Sequence, residues 1–339
     1  MSEKRKIFIF FAIFLNCVCI SLKSFSQKTQ IRGFMDLLTS LEDKKVSFGF
    51  GEEDLFITSE LSDRFSFLGE TVFKFTPSTP TTFSVSIERV IVKYNFAGNH
   101  NLLIGKHHTP INYWNDTYHH GRVFFPTIYR PLLFEANIIP LHTTGVSLQG
   151  QNLGNLKFGY DFMVGNGLGS EDVLDNDKRK SVTAAVHIKP AQGLRIGISW
   201  YNDLMSAGSK THDGKLINWD VRQNLFSPSV AYFGEKVEVL AESTIGTNHT
   251  DTTGTKQTFA GYLYAGYKIK EKLVPYVRLD RLHFQEGEIL FNKNNTSSIV
   301  GGIRYNINYL TVVKLEYQYE KTEVKTNINR LTFQLAIGF

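Results

Sequence analysis

The sequence has almost no cysteine and no long apolar run beyond its N-terminal segment. Its two cysteines, Cys17 and Cys19, both lie in the apolar stretch from Ile7 to Leu22. An exported chain cleaved after this stretch would therefore fold without disulfides. No later apolar run reaches the roughly 20 residues that a membrane-spanning helix needs. A bundle of transmembrane helices is excluded.

A strong charge of one sign is also lacking. The chain has 37 Lys and Arg against 32 Asp and Glu, for a formal net charge of +5. Nothing in this balance indicates a nucleic-acid partner. The motif G-x-S-x-G of many hydrolases is absent as well, and the sequence predicts neither an enzyme nor a cofactor.

The N-terminus has the composition of an export signal. The basic segment Lys4–Lys6 precedes the apolar stretch, and the small residues Ser24 and Ser26 follow it. This pattern predicts a secretory signal peptide with cleavage after Ser26. We therefore expect a signal peptide at residues 1–26 and a single domain at residues 27–339.

Apolar and polar residues alternate in many segments after residue 27. In the last ten residues Phe333, Leu335, Ile337 and Phe339 alternate with smaller or polar side chains. Such alternation predicts strands with one apolar and one polar face. Further segments of this kind are 46–50, 65–75, 83–87, 156–164, 182–188, 194–200, 237–241, 259–269 and 313–320. At Glu88-Arg89 the phase flips, which predicts a β-bulge.

The number of alternating segments favours a membrane barrel. A chain without spanning helices can cross a bilayer only as a closed β-barrel. Aromatic residues make up 13% of the chain, and short links alternate with long polar ones, as in serial hairpins of such barrels. We predict an all-β, transmembrane antiparallel up-and-down barrel of about 16 strands, with 14 to 18 possible. The alternative is a soluble exported β-protein whose apolar face forms the core.

The final strand also carries a family resemblance. Phe333, Leu335, Ile337 and Phe339 resemble, position by position, the C-terminal signal by which Gram-negative outer-membrane barrels are recognised for assembly. The resemblance implies the outer membrane of a Gram-negative bacterium as the location. It also implies two partners, the lipid bilayer and the barrel assembly machinery.

A second, shorter resemblance concerns the segment LLIGKHHTPINYWN. Its Gly105, Lys106 and Pro110 resemble the strand and loop of phosphate-selective (O/P-type) porins. The resemblance implies a porin that passes small hydrophilic solutes, with a homotrimer possible. Phosphate selectivity does not carry over, because no run of arginines is present to form an anion ladder.

The long connection from Gly105 to Pro140 is the best candidate for a functional site. Connections of this length are usually functional, and its aromatic residues need burial that the barrel interior would supply. We predict a loop that folds into the lumen and constricts it, with weak anion preference. The predicted constriction residues are Lys106, His107, His108, His119, His120, Arg122 and Arg130.

The histidine pairs of this segment could bind zinc, yet no cysteine or full ligand set accompanies them. Adjacent histidines on a strand point to opposite faces, so each pair offers one ligand to a shared site. No metal site is predicted.

The same alternation assigns charged residues to the lumen. They carry both signs, which fits either a selectivity ladder or the ordinary hydration of a polar interior. The predicted lumen-facing residues are Lys157, Asp161, His187, Lys189, Arg195, Glu238, Arg278, Asp280, Lys314 and Glu316. The sequence thus predicts a passive porin, with a non-conducting barrel, either enzyme or adhesin, as the alternative.

Overall fold

The computed structural model describes residues 28–75, 83–118, 121–167, 175, 177, 179–210, 216–291, 294–323 and 327–339. The predicted signal peptide, His119 and His120 lie outside these residues. Among the described residues, no helix has the length and apolar character to cross a membrane.

Sixteen antiparallel strands make up the described chain. Their bounds are β1 Lys28–Glu42, β2 Lys45–Glu60, β3 Phe65–Phe75, β4 Phe83–Ala97, β5 His100–His108, β6 His142–Leu153, β7 Phe158–Gly165, β8 Ser181–Ala191, β9 Leu194–Met205, β10 Val221–Phe233, β11 Val237–Thr250, β12 Gly254–Tyr267, β13 Leu273–Phe284, β14 Thr296–Asn308, β15 Thr311–Thr322 and β16 Ile328–Gly338. Two short helices, α1 Tyr113–Thr117 and α2 Leu132–Glu135, lie between β5 and β6.

Each strand pairs with its neighbours in sequence, and β1 pairs with β16 to close the barrel. The closing register places Leu37 opposite Leu335, and the backbone of Gly33 exchanges hydrogen bonds with that of Phe339. Closure leaves no unpaired sheet edge, as a membrane barrel requires. The predicted all-β, up-and-down barrel of about 16 strands is confirmed.

The two ends of the barrel differ in the length of their connections. The end at which β1 begins and β16 ends has only short turns among the described residues, at 61–64, 98–99, 154–157, 192–193, 234–236, 268–272 and 309–310. The opposite end carries the longer connections, among them 109–141, 166–180 and 206–220. This asymmetry is typical of outer-membrane barrels.

Side chains alternate between the two faces of the wall. On β16, Thr332 and Gln334 point inward and are buried, while Leu331 and Phe333 point outward and are exposed. The same alternation recurs on β11 to β15. The apolar face therefore lies outside the closed barrel, where a bilayer can cover it, and no second layer of protein buries it as in a soluble β-protein.

Two details refine the sequence prediction. The register between β3 and β4 shifts at Glu88, which confirms the predicted bulge. The predicted start of the long loop at Gly105 is wrong, because β5 continues to His108 and pairs residue by residue with β6 up to His142. The polar run Lys106-His107-His108 hid this extension, because it interrupts the alternation of apolar and polar residues. The loop covers residues 109–141.

Candidate functional site: the loop inside the barrel

The connection between β5 and β6, here called the inner loop, comprises residues 109–141, of which 109–118 and 121–141 are described. It leaves the rim and folds into the barrel. Phe124 reaches Phe34 and Tyr309, near the end with the short turns, with ring centroids 5.4 Å and 5.6 Å away. The predicted long loop within the lumen is therefore present.

Aromatic packing holds the first half of the inner loop. Trp114, only 1% exposed, lies 5.2 Å from Phe125, 6.2 Å from Phe134 and 6.0 Å from Tyr262 of β12, between ring centroids. These residues belong to one apolar cluster that joins the inner loop to β9 to β14 and to the connections between them. Buried aromatic side chains of this size dominate packing energies. The loop is thus joined to one half of the wall by a core.

Polar contacts fix the same half. The carboxylate of Glu242 on β11 accepts hydrogen bonds from the backbone N–H groups of Tyr113 and Trp114 and from the hydroxyl of Tyr262. The amide of Asn115 donates to the carbonyl oxygens of Thr109 and Leu141, at 2.9 and 3.0 Å. Asn115 therefore ties the two ends of the loop together.

Buried charges of β13 and β15 hold the second half. Arg278 donates to the Thr127 hydroxyl and the Tyr129 carbonyl, both at 2.6 Å, and its Nε donates to Asp280 at 2.9 Å. Both charged residues lie inside the barrel and are buried, with Arg278 at 0% exposure. Asp280 in turn accepts the N–H of Leu132 at 3.1 Å. These wall residues bind the loop backbone.

Lys314 and Glu316, on β15, act in the same way. The ammonium of Lys314 donates to the carbonyl oxygens of Arg122 and Thr127, at 2.8 and 3.1 Å. Glu316 accepts the N–H of Ile128 at 2.9 Å. Charge-assisted bonds to backbone groups are stronger than neutral ones. These two predicted lumen residues serve as anchors of the inner loop.

On β1 and β2 the loop meets carboxylates. Arg122 lies 3.5 Å from Asp36 of β1 and 3.1 Å from Glu52 of β2, and the N–H of Gly121 donates to Asp54 at 3.3 Å. Burial lowers the pKa of Arg122, but attraction to Glu52 and Asp36 outweighs it and raises this pKa overall. Arg122 is therefore a charged and paired group.

The three carboxylates Asp36, Glu52 and Asp54 were not among the predicted site residues. The spacing of Glu52 and Asp54, two residues apart before Phe56, places both on one face of a strand. That spacing was the available signal.

The remaining charges of the lumen lie near the start of the loop. Arg195 of β9 pairs with Asp116 of α1 at 3.2 Å and approaches Nδ1 of His187 at 3.2 Å. Asp161 of β7 accepts a hydrogen bond from Gln149 at 2.8 Å. A polar cavity of about 20 Å³ adjoins these side chains, which is room for about one water molecule.

The other predicted residues are more scattered. Lys106 and His107 are buried in β5, where the Lys106 ammonium donates to the carbonyl of Ile87 in the barrel wall. The rings of His108 and His142 lie tilted to each other, with their centroids 5.4 Å apart. Arg130 lies in the inner loop and is partly buried, and burial lowers its pKa.

Three more positions complete the set. Lys157 lies in the turn at 154–157, where it is exposed instead of facing the lumen from a strand. Lys189 donates to Asn152 at 3.0 Å. Glu238 is buried and accepts bonds from Arg304 and Tyr264, both at 2.8 Å. Within the described residues, no group of three or more His, Cys, Asp or Glu could hold a metal ion.

A closed sixteen-stranded barrel with an apolar outer face and a long loop folded into its interior defines an integral barrel of the Gram-negative outer membrane, with the architecture of porins. Solved structures of outer-membrane proteins have the same fold. An anion-selective porin from Comamonas acidovorans superposes with a TM-score of 0.66 at 10% identity, over 93% of this chain and 100% of that one.

Two further structures have the same fold. OmpF of Salmonella typhi, in complex with daunomycin, gives a TM-score of 0.65 at 10% identity, over 92% of this chain and 98% of that one. OmpT of Vibrio cholerae, an outer membrane protein in a trimer form, gives 0.64 at 13% identity, over 92% and 99%. At such identities the likeness shows the fold alone. No family model matches the sequence, and no curated protein does.

Proposed function

We propose that the protein is a porin with a narrow lumen, through which small hydrophilic solutes or ions diffuse passively. The observation that carries this proposal is the one-sided packing of the inner loop. Its apolar cluster joins it to β9 to β14, while charged side chains elsewhere inside the barrel stay partly exposed. The side chains of Lys74 on β3 and Arg89 on β4 are 37% and 20% exposed. A hydrated, charged passage is what solute diffusion requires.

Selectivity should be weak, because both signs of charge line the interior. The predicted anion preference rested on Lys106, Arg122 and Arg130. Lys106 donates to a wall carbonyl and Arg122 is paired with two carboxylates, so nearby groups compensate the charges of these two residues. We retain a weak anion preference as a proposal.

Purified protein in planar bilayers tests the pore. Discrete conductance steps, and swelling of protein-containing liposomes in small sugars but not large ones, are the expected results. A bilayer that stays sealed after verified insertion would overturn the proposal.

A non-conducting barrel is the second candidate, because the inner loop is packed as tightly as a protein core. Phe125, Ile128 and Leu133 are 0% exposed inside the barrel. A loop fixed in this way could close the lumen, and the barrel would then act as a surface enzyme or adhesin. Sealed bilayers together with lipid or peptide hydrolysis, or with binding to host surfaces, would favour it.

We also propose that β16 carries the assembly signal. Phe333 is exposed on its outer face, Leu335 and Ile337 are partly exposed there, and Phe339 ends the strand with 58% exposure. An outward row of this kind is open to the barrel assembly machinery before closure. A homotrimer is proposed too, in line with the trimer form of the Vibrio cholerae protein.

A further inference from the structure

The polar cavity of about 20 Å³ beside Asp116, here called the niche, lies between the start of the inner loop and strands β7 to β9. Ala185 of β8 and Gly197 of β9 line it, and these small residues leave its space open. Asp116 lies at its edge with a side chain that is 39% exposed, so the niche opens to the interior of the barrel. Its volume admits one group of the size of a water molecule.

Two carboxylates of the niche have oxygen atoms that remain available. Asp116 accepts from Arg195 through Oδ2 at 3.2 Å, and Asp161 accepts from Gln149 through Oδ1 at 2.8 Å. Among the described residues, no donor is bonded to Oδ1 of Asp116 or to Oδ2 of Asp161, and no cation forms an ion pair with Asp161. The niche therefore holds two carboxylates against one guanidinium, and it can accept a further cationic group.

The niche also offers hydrogen-bond donors. Arg195 lies over the ring of Tyr113, 5.0 Å from its centroid, and donates to Nδ1 of His187 at 3.2 Å. Because a guanidinium only donates, Nδ1 is the acceptor and Nε2 of His187 carries the proton. Asn112 lines the niche at 6% exposure, and its Nδ2 has no hydrogen-bond partner among the described residues. A buried donor left without a partner is costly, so these groups point to an acceptor supplied by a ligand.

We propose that the niche binds a small zwitterion, an α-amino acid with a short side chain, on its way through the lumen; the proposal rests on the porin function proposed above. One carboxylate oxygen of the solute enters the niche and accepts from Asn112, Arg195 and His187. The ammonium group lies at the edge, between Asp116 and Asp161, and compensates the second carboxylate. A solute with only one of the two charges makes half of these bonds and meets a like charge, which gives the site its preference.

The test measures the binding of small probes to the full-length protein in detergent by saturation-transfer NMR. The probes are glycine, methylammonium, acetate and the uncharged glycolamide, and glycine should give the strongest signal. Asp161→Asn should raise the dissociation constant of glycine about ten-fold, because it removes one charge-assisted bond. Asp251→Asn is the matched control, since Asp251 lies in the exposed turn between β11 and β12, and it should bind glycine as wild type does. Heat-shift on gels verifies that each variant is folded.

Three results would overturn the proposal. Equal signals from glycine and methylammonium would show a simple cation site, and equal binding by wild type and Asp161→Asn would show that glycine binds elsewhere. No signal from glycine would leave the niche as the place of one water molecule.

Planar bilayers separate this proposal from the porin function. Glycine should lower the conductance steps of wild type in a saturable way, and Asp161→Asn should need more glycine for the same decrease. Bound glycine without any conductance steps would contradict the porin function and support the niche. Conductance steps that bound glycine does not alter would overturn the role of the niche in transport.

Discussion

The two halves of the barrel wall treat the inner loop differently. Strands β9 to β14 contribute the apolar side chains that bury Trp114 and Phe134. Strands β1 and β2 meet the loop largely through charge, with Asp36 and Glu52 on Arg122. The apolar contact with β9 to β14 is supported by hydrogen bonds that involve Glu242, Arg278 and Asp280, whereas the contacts with β1 and β2 are mainly ion pairs. We infer that packing decides where the loop lies, and that charge tunes what passes beside it.

Two buried cations, on β13 and β15, also hold the inner loop. Arg278 and Lys314 are both 0% exposed, and each donates to backbone carbonyls of the loop. A buried charge is costly unless hydrogen bonds compensate it. The loop carbonyls give that compensation, so loop and wall stabilise each other. Loosening either should be visible in both stability and conductance.

Weakening the apolar contact between the inner loop and β9 to β14 should have the largest effect on stability and conductance. Replacing Trp114 by Ala removes the centre of the apolar cluster, and we expect a loss of about 3 to 5 kcal/mol in unfolding free energy. The freed loop should also give larger and noisier conductance steps. Denaturant unfolding in detergent and single-channel recording measure the two effects.

Trp219→Ala is the control for this change, since Trp219 is 41% exposed and lies outside the inner loop. It should alter neither quantity. Unchanged conductance in Trp114→Ala, despite lost stability, would show that the loop does not limit the passage.

Removing the ion pairs between the inner loop and strands β1 and β2 should mainly alter the ion selectivity of the pore. Arg122→Gln leaves Asp36 and Glu52 without their guanidinium, and removal of one partner from a buried pair costs about 3 kcal/mol. The interior becomes more negative, so the reversal potential in a salt gradient should move toward cation preference. Arg64→Gln, in the exposed turn between β2 and β3, should leave the potential unchanged. A shift toward anions would contradict the assignment.

Much of the wall could be predicted from the sequence. Regular alternation in β16 and the phase flip at Glu88 are local signals, and both are confirmed. Strand β1 was missed, because the adjacent apolar pairs Phe34-Met35 and Leu37-Leu38 obscure its two faces. Strand β10 was missed as well, and Pro228 at its centre is a residue that argues against a strand.

The site was less predictable than the wall. The many aromatic residues of the loop indicated that these side chains would be buried, and the loop does lie inside the barrel. The contacts that make Arg278 and Lys314 anchors of the loop could not be predicted, because Arg278 and Thr127 are 151 residues apart and Lys314 and Arg122 are 192 apart. Alternation shows that such residues face the lumen. It carries no information about which backbone groups they meet there.

The smallest expected effect concerns a partly exposed ion pair at the start of the inner loop. Measuring it sharpens the comparison between the apolar and the charged contacts of the loop. Asp116 and Arg195 form an ion pair at 3.2 Å, with side chains 39% and 16% exposed. An exposed pair contributes at most about 1 kcal/mol, so Asp116→Asn should leave unfolding almost unchanged. It releases the charge of Arg195, and we expect a modest rise in anion conductance at 0.1 M salt that disappears near 1 M, where screening acts within about 3 Å. Asp63→Asn, in an exposed turn, should change neither the unfolding free energy nor the anion conductance. Because the change is isosteric, a rise that persists at high salt would mean that Asp116 acts on the width of the passage through the loop, and not through its charge.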